Sequence, residues 1–136
     1  MGLHREPRDV TPIPFVLLEN RRKMYAATYK FDKSIATFLG RPPNICHQYS
    51  DSKLPLDLSD EMLMTGGATL DHAVSCLDSH GWTRDGTFHP ASWIRLRYII
   101  AVFQEKILAY SLITEYNIKE ESLKCVFIDI LANRLS

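Results

Sequence analysis

The sequence predicts an all-α protein, built as an irregular array of several helices, and three observations support this fold class. Two long segments carry apolar residues at three- and four-residue spacing, which is the period of an amphipathic helix. Glycines and prolines stand between the periodic segments, where they end helices and form turns. No stretch alternates convincingly between apolar and polar residues, as a half-buried strand would.

The first predicted helix runs from about Phe15 to Leu39. Pro14 stands directly before it, where a missing amide hydrogen costs a helix start nothing. Gly40 can adopt the left-handed conformation that closes a helix, and the prolines after it prevent continuation. The Arg41 side chain is expected to bond carbonyls at this helix end. One face is expected to carry Met24, Ala27, Thr28, Phe31, Ile35, Phe38 and Leu39. The remaining surface is expected to carry Asn20, Arg21, Arg22, Lys23, Lys30 and Lys33.

Shorter elements are predicted in the middle of the chain. Residues 44–56 show no period and are interpreted as an ordered loop. Ser59, in front of an acidic turn, predicts a capped short helix that is broken by the glycine pair at 66–67. A further short helix is predicted over residues 69–77. Residues 80–90 contain two glycines and a proline, which indicates a turn-rich connector.

A second long helix is predicted from about Ser92, a candidate cap after Pro90, to Tyr110 or a little beyond. Its apolar positions are Leu96, Ile99, Ile100, Phe103, Ile107 and Tyr110. A third helix is predicted from Asn117, which has capping-box spacing to Glu120. Its apolar face comprises Leu123, Val126, Phe127, Ile130, Leu131 and Leu135. Because this pattern still runs at the last residue, and because apolar stripes need partners, we interpret the chain as an incomplete fragment of a larger helical domain.

Composition excludes several classes of function. Sixteen basic and sixteen acidic residues cancel, so no overall field attracts nucleic acid or an anionic membrane. The cysteines at 46, 76 and 125 are odd in number and scattered, which argues against a disulfide framework and is typical of a reducing compartment. The apolar runs are too short to span a bilayer. We therefore expect a soluble intracellular chain without a secretory signal.

One spacing suggests a metal site. His72, Cys76 and His80 follow one another at four-residue steps, so on a continuous helix they would share a face. Imidazole and thiolate are good zinc ligands, but a structural site needs four, and this spacing is unlike that of paired short-loop ligands. We therefore predict no metal ligand here, and keep a small helical metal-binding protein or enzyme using these residues as the alternative hypothesis.

No other constellation predicts catalysis, so we predict that the chain is not an enzyme. The cysteines and histidines show no local nucleophile signature. The acids at 57, 60 and 61 are explained as residues that stabilise a helix start. The basic cluster at 20–23 is interpreted as a solvated helix face. The aromatic residues Tyr25, Tyr29, Phe31, Trp82 and Trp93 are expected to be core or corner anchors.

Two segments resemble the fungal-specific transcription factor domain, the middle homology region of binuclear zinc-cluster regulators. The first is residues 19–63, ENRRKMYAATYKFDKSIATFLGRPPNICHQYSDSKLPLDLSDEML, and the second is residues 81–111, GWTRDGTFHPASWIRLRYIIAVFQEKILAYS. The family pattern has an arginine-rich helix start, an aspartate, a Gly-Arg-Pro-Pro corner and a Leu-Pro-Leu-Asp-Leu segment. The matching structural signature is Arg21, Arg22, Asp32, Gly40, Arg41, Pro42, Pro43, Leu54, Pro55, Asp57, Gly81 and Trp82.

The resemblance implies the regulatory region of a nuclear, DNA-binding transcription factor. The family binds DNA through an amino-terminal module in which six cysteines hold two zinc ions. Residues 1–14 contain no cysteine and the whole chain contains three, so we expect that module, and its zinc, outside this chain. The division that follows is an irregular segment 1–14 and a partial regulatory domain 15–136. Expected partners are the rest of the regulatory domain, co-regulators or a second copy, with no membrane and with no cofactor in this chain.

Overall fold

The computed structural model describes residues 2–7 and 13–114. Four α-helices follow in order: α1 Phe15–Leu39, α2 Asp60–Thr65, α3 Gly67–Ser75 and α4 Pro90–Thr114. A single 3-10 turn, His47–Tyr49, lies in the loop after α1. The described ranges contain one isolated antiparallel bridge, between Leu77 and Thr83, and no named strand. The all-α prediction is confirmed, and the predicted third helix from Asn117 lies outside the described residues.

Helix α1 has the predicted start and end. Gly40 takes the left-handed conformation at φ 60°, and its N–H donates to the carbonyl of Thr37. The next N–H, of Arg41, reaches back to the carbonyl of Ala36 at 3.1 Å, which completes a Schellman closure. The prediction for the Arg41 side chain is wrong: it is exposed and makes no hydrogen bond to any described residue. The backbone itself satisfies the carbonyls that the guanidinium was expected to bond.

The two short helices form where the turn chemistry predicted them. The Ser59 side chain accepts a hydrogen bond from the N–H of Met62 at 3.2 Å and caps α2. Gly66, at φ 64° and ψ −161°, separates α2 from α3. Helix α3 begins at Gly67, two residues before the predicted start, because the chain turns within a single residue.

Replacing Ser59 with alanine is expected to lower the free energy of unfolding by about 1 kcal/mol, because the Met62 N–H loses its acceptor. Urea unfolding followed by circular dichroism measures the change. Ser79→Ala is the control, since Ser79 is exposed and forms no hydrogen bond to the described part of the chain; its effect should stay within about 0.5 kcal/mol. Equal effects of the two substitutions would contradict the capping role.

Helix α4 starts earlier than predicted. It begins at Pro90, so Ser92 is the third helical residue and not the cap. From there the Ser92 hydroxyl accepts the N–H of His89 at 2.9 Å and donates to the Asp57 carboxylate. The Ser92 side chain thus caps the N–H of His89 at the start of α4, as the third helical residue does in a capping box. Its bond to Asp57 also joins α4 to the segment before α2. The helix continues past Tyr110 to Thr114, the last described residue, which agrees with the predicted extent.

The two long helices pack side by side and run in the same direction. Tyr25 meets Tyr98 at a ring-centroid distance of 6.1 Å, and further along the Lys33 ammonium lies 3.2 Å from the Glu105 carboxylate. Residue numbers therefore increase together along both helices. The core between the helices is formed by Tyr25, Ala26, Tyr29, Tyr98 and Ala101. The prediction that Tyr25 and Tyr29 are core residues is confirmed.

A second core lies under the short helices. Leu58, Leu63 and Ala73 are buried there. Partly buried apolar residues surround them, namely Phe15, Val16, Leu56, Met62, Leu70 and Leu77. This core joins the start of α1 to α2 and α3. In the described ranges, no helix is both long enough and apolar enough to cross a membrane.

Candidate protein interaction surface

Helix α1 presents a line of large apolar side chains to solvent. Leu17, Met24, Phe31 and Phe38 follow at seven-residue intervals and are 58%, 60%, 65% and 88% exposed. Two helical turns separate successive members, so they lie on one side of the helix. The apolar face predicted for α1 therefore exists. Most of its side chains are exposed and are not packed against other described residues. Phe31, predicted as a core residue, is part of this exposed line.

Helix α4 has a matching exposed face. Its exposed large apolar residues are Trp93, Leu96, Ile100, Ile107, Tyr110 and Ile113. Most of the apolar stripe predicted for α4 is among them. The prediction that Trp93 is a core or corner anchor is wrong, because 51% of this residue is exposed. Contiguous exposed apolar faces of this kind mark protein interaction sites in folded proteins. We define these two faces as the α1 outer face and the α4 outer face.

The side of α1 that is buried is polar and aromatic. It comprises Glu19, Arg22, Tyr25, Ala26, Tyr29, Asp32, Lys33 and Ala36. The prediction that the basic cluster at 20–23 is a solvated face is therefore wrong for Arg22, which is buried, and for Lys23, whose side chain is bonded to Asp60. Lys33 was also predicted on the outside and is fully buried. The buried charged residues on this side of α1 have partners in two polar clusters, that of Arg22 and that of Lys33. These pairs allow the polar side of the helix to face inward.

The Arg22 cluster fixes the start of α1. The Arg22 guanidinium donates to Glu19, one turn earlier, at 2.6 Å and to Glu6 at 3.0 Å. The other Glu19 oxygen accepts the Leu56 N–H at 2.7 Å. Arg21, beside them, donates to backbone carbonyls of residues 2–7. These bonds join the amino-terminal segment, α1 and the Leu-Pro-Leu-Asp segment.

The Arg95 cluster joins three elements that are distant in sequence. Arg95 is 2% exposed, donates to the carbonyls of Pro55 and His80, and lies 4.3 Å above the Trp82 ring. Asp57, also buried, accepts the Thr83 N–H at 3.2 Å and the Ser92 hydroxyl. The Leu-Pro-Leu-Asp segment, the glycine connector and α4 are thereby held together.

Gly81 is the tightest point of the Arg95 cluster. Its φ of 79° is in the left-handed region, and a Cβ there would lie 3.0 Å from Leu56 Cδ2 and 3.4 Å from Arg95 Nη1. Gly81→Ala is therefore expected to lower the free energy of unfolding by about 2 to 4 kcal/mol. The matched control is Gly86→Ala, at φ 76° but with open space at its Cβ, which should cost about 1 to 2 kcal/mol. Thermal unfolding of both variants tests this, and a Gly86 effect as large as that of Gly81 would contradict close packing at Gly81.

The Lys33 cluster fixes the loop after α1. One Asp32 oxygen accepts the N–H of Ile45 at 2.9 Å and the other accepts both the backbone and side-chain N–H of Asn44 at 3.1 Å. The buried Lys33 ammonium lies 3.0 Å from Asp32 and 3.2 Å from Glu105, on α4. Glu105 also accepts from the Tyr29 hydroxyl, the Cys46 thiol at 3.2 Å and the His47 N–H at 3.1 Å. The loop is therefore bound to both long helices.

Hydrogen bonding lowers the pKa of two carboxyl groups in this cluster. Burial by itself raises the pKa of Asp32, but the N–H groups of Ile45 and Asn44 and the Lys33 ammonium hold it below its ordinary value. Burial likewise opposes ionisation of Glu105, while donors that include Tyr29, Cys46 and Lys33 make its pKa lower than usual. Both groups are ionised at neutral pH and keep Lys33 paired.

These two lowered pKa values predict acid sensitivity. A lowered folded-state pKa stabilises the fold above the unfolded-state value of about 4, and that stability is lost as pH falls through the folded-state values. We expect the free energy of unfolding to be nearly constant from about pH 7 to 5 and to decrease below about pH 4.5. Urea unfolding across this range is the measurement. Asp32→Asn should reduce the slope, and an unchanged slope would contradict the contribution of Asp32.

The structure brings together some of the signature residues predicted from the sequence. Pro55, Asp57, Gly81 and Trp82 meet around Arg95, as described above. Leu54 packs against the tyrosine core, and Asp32 holds the loop that follows Pro43. Gly40, Arg41 and Pro42 form an exposed corner. The opening arginines, Arg21 and Arg22, hold the amino-terminal segment. The predicted Trp82 anchor role agrees with its position under Arg95.

Sequence reasoning did not find the role that five residues have in these clusters: Glu19, Lys33, Ser92, Arg95 and Glu105. A signal was present for some of them. Glu19 and Arg22 have opposite charge at a spacing of three, and Arg22, Tyr25, Tyr29 and Asp32 recur at helical spacing. The sequence alone does not show that the charged residues on this side of α1 have partners in distant parts of the chain. Without those partners, the side could not be predicted to face the core.

The metal-site hypothesis finds little support. The Cys76 thiol lies 3.9 Å from His72 Nδ1 on α3, but within residues 2–7 and 13–114 no group of three His, Cys, Asp or Glu side chains is placed to hold a metal ion. At Cys46, burial and the neighbouring Glu105 raise the thiol pKa, which disfavours the nucleophilic thiolate. Asp60 and Glu61 lie in the first turn of α2, as the helix-start interpretation predicted. The same interpretation is wrong for Asp57, which is buried and accepts from Thr83 and Ser92.

A helical unit with large exposed apolar faces, built on internally paired polar clusters, is typical of domains that bind other protein segments. Comparison with known proteins specifies the family. The model of the family described as Fungal specific transcription factor domain matches residues 1–126. The chain belongs to this family, so the resemblance found in its motifs is confirmed.

Two curated relatives are transcription regulators of Saccharomyces cerevisiae. The chain is 31% identical to Activator of stress genes 1 over 86 residues, which is 63% of this chain and 9% of that protein. It is 35% identical to a putative transcriptional regulatory protein over 66 residues, which is 48% of this chain and again 9% of the relative. No solved structure matches the chain. The chain therefore aligns with only a small part of regulators that are much longer.

Proposed function

We propose that this chain is part of the regulatory region of a fungal zinc-cluster DNA-binding transcription factor and that it acts through protein contacts. Its family and its two yeast relatives support a role in the regulation of transcription. Because the aligned residues cover 9% of each relative, most of such a regulator would lie in other segments. Its partners are the rest of the regulatory domain, co-regulators or a second copy.

The observation that carries this proposal is the pair of exposed outer faces. Helix α1 packs through a polar and aromatic side, and both long helices present large aliphatic and aromatic residues to solvent. Burying one such face removes several hundred Å² of apolar surface from water, worth roughly 5 to 10 kcal/mol before the costs of association. The burial of these faces by a partner would therefore contribute a free energy of association comparable to the net stability of a domain.

The remaining parts of the proposal follow from the family. DNA would be contacted by a separate zinc-cluster module, which is where zinc is expected, and the protein would work in the nucleus. The chain would not act as an enzyme, since its buried charged groups already serve one another as structural partners in the clusters of Arg22, Arg95 and Lys33. The signature residues would preserve the shape of the scaffold that presents the outer faces.

Charge placed on the α1 outer face of the protein encoded at the native locus tests the proposal. Met24→Asp and Phe38→Asp change residues that are 60% and 88% exposed, so the fold of the chain should be retained. We expect the set of transcripts altered by deleting the whole gene to be altered by the double variant as well. RNA sequencing measures this, and thermal unfolding of the isolated chain checks that the melting temperature is unchanged.

The control is Asn20→Asp with Lys53→Asp, which adds acidic charge at exposed polar positions. This variant should leave the transcripts as in the unmodified strain. If deletion of the gene alters no transcript, or if the outer-face variant behaves as the control does, the proposed regulatory function is wrong.

A further inference from the structure

The charges of the two long helices are distributed unevenly between the interior and the surface. Helix α1 contains five basic and two acidic residues, and α4 contains three and one. All three acids, Glu19, Asp32 and Glu105, are bonded inside the fold. Among the cations nearer the surface, Lys23 is paired with Asp60 of α2. The charge that these two helices present to solvent is therefore basic, although the whole chain is neutral.

Two of the surface cations line a depression between α1 and α4, one on each helix. They are Lys30 and Arg97, and neither forms a salt bridge with any described residue. The Lys30 ammonium donates to the Ser34 hydroxyl at 2.6 Å, and the Arg97 guanidinium lies 5.9 Å from the centre of the Trp93 ring. None of the residues that line the depression is acidic. Both cations can therefore accept a carboxylate partner.

The depression between these cations is apolar. It has a volume of 380 Å³, and it is lined by Ala26 and Ile94, which belong to the tyrosine core or pack against it. An apolar cavity of about 150 Å³ can hold a benzene molecule, so the depression has room for an aromatic or branched side chain. Phe31, which is 65% exposed, lines the same depression. The depression is thus a pocket in the α1 outer face with a cation on each side.

We propose that this depression and the adjoining α1 outer face bind an acidic amphipathic helix of a partner protein. One apolar side chain of that helix fills the depression, and carboxylates on the two flanks of its apolar stripe pair with Lys30 and Arg97. This inference rests on the proposed function, in which the chain acts through protein contacts, and it names the chemistry of the partner.

The spacing of the exposed apolar residues on α1 favours a helix as the occupant. Leu17, Met24, Phe31 and Phe38 repeat every seven residues, over about 32 Å of helix. Two helices stay in contact over such a distance when both carry apolar residues at this period. A bound amphipathic helix is recognised through apolar anchors that lie one and two turns apart, and Phe31 and the depression beside it provide a place for such an anchor.

The charges favour this occupant over a second copy and over nucleic acid. In a symmetric dimer formed through this patch, Lys30 and Arg97 would meet the same cations of the other copy, and like charges repel. Nucleic acid would neutralise the cations, but its interfaces are polar, whereas Phe31 and the depression require apolar cover. An acidic amphipathic helix supplies both the negative charge and the apolar surface.

Fluorescence anisotropy with a synthetic peptide tests the proposal on the full 136-residue chain. The probe is a fluorescein-labelled peptide of about 21 residues, long enough for the exposed line on α1, with leucine and phenylalanine on one helical face and glutamate on both flanks. The control peptide has glutamine in place of every glutamate and the same apolar face, so the protein needs no substitution. We expect the glutamate peptide to bind at least about tenfold more tightly at low salt.

Variants of the protein locate the binding site. Lys30→Glu with Arg97→Glu should weaken binding of the glutamate peptide at least about tenfold, and a lysine version of the peptide should bind this variant more tightly than it binds the unmodified chain. Phe31→Ala should weaken binding of both the glutamate and the glutamine peptide. The control is Lys53→Glu with Lys106→Glu, which makes the same change in net charge at exposed positions outside the depression and should retain binding of the glutamate peptide.

Equal binding of the glutamate and glutamine peptides, or no binding of either, would overturn the proposal. A labelled DNA duplex that binds more tightly than the glutamate peptide, and that Lys30→Glu with Arg97→Glu releases, would overturn it in favour of nucleic acid. Sedimentation of the free chain as a dimer that the same substitutions dissociate would overturn it in favour of a second copy. The transcript test of the proposed function is read separately, because the effect of Met24→Asp and Phe38→Asp on transcripts does not require the partner to be acidic.

Discussion

Arg95→Ala is expected to lower the free energy of unfolding by about 3 to 5 kcal/mol, a large fraction of the 5 to 15 kcal/mol typical of a domain. Arg95 is 2% exposed, and its guanidinium donates to the carbonyls of Pro55 and His80. Removing it leaves both carbonyls without these donors, takes the cation from the Trp82 ring and leaves a void beside Gly81. It also removes a positive charge that attracts the buried Asp57 carboxylate.

Thermal and urea unfolding measure this loss, and the melting temperature should fall by more than about 10 °C. Arg97→Ala is the control on the same helix, since Arg97 is exposed; its effect should stay within about 0.5 kcal/mol. If Arg95→Ala unfolds at the same urea concentration as Arg97→Ala, the Arg95 cluster does not hold the three elements together.

Glu105→Ala is expected to have an effect of similar size, about 3 to 5 kcal/mol, because it breaks a buried ion pair from one side. Lys33 is fully buried, and one of its two carboxylate partners would be lost. The hydroxyl of Tyr29 and the N–H of His47 would lose their shared acceptor at the same time. The loop after α1 should therefore separate from α4.

The measurement is urea unfolding together with hydrogen exchange of the loop at residues 44–50, whose amides should exchange faster in the variant. Lys106→Ala, at the next and exposed position, is the control and should leave both properties unchanged. Lys33→Met in the Glu105→Ala background should restore part of the stability, because it removes a buried cation that has lost one of its two carboxylate partners. The absence of any such restoration would contradict the role assigned to the ion pair.

Local chemistry made much of the fold predictable. Gly40 followed by Pro42 and Pro43 fixed the end of α1, because the left-handed closure and the missing proline donors are properties of those residues alone. Ser59 before an acidic turn likewise fixed the start of α2. The signature motifs identified the family, since their order along the chain does not depend on how the chain folds.

The orientation of the two long helices was decided only by tertiary structure. Helical periodicity shows that α1 has an aliphatic side and a polar-aromatic side, and burial of the aliphatic side was the reasonable expectation. The structure buries the other side instead, because Arg22, Asp32 and Lys33 find partners in Glu6, Asn44 and Glu105, far away in sequence. A charged residue can enter a core only when its counter-ion arrives from another element, and spacing along one helix carries no record of that pairing. The outer faces, and with them the candidate interaction surface, follow from those long-range pairs.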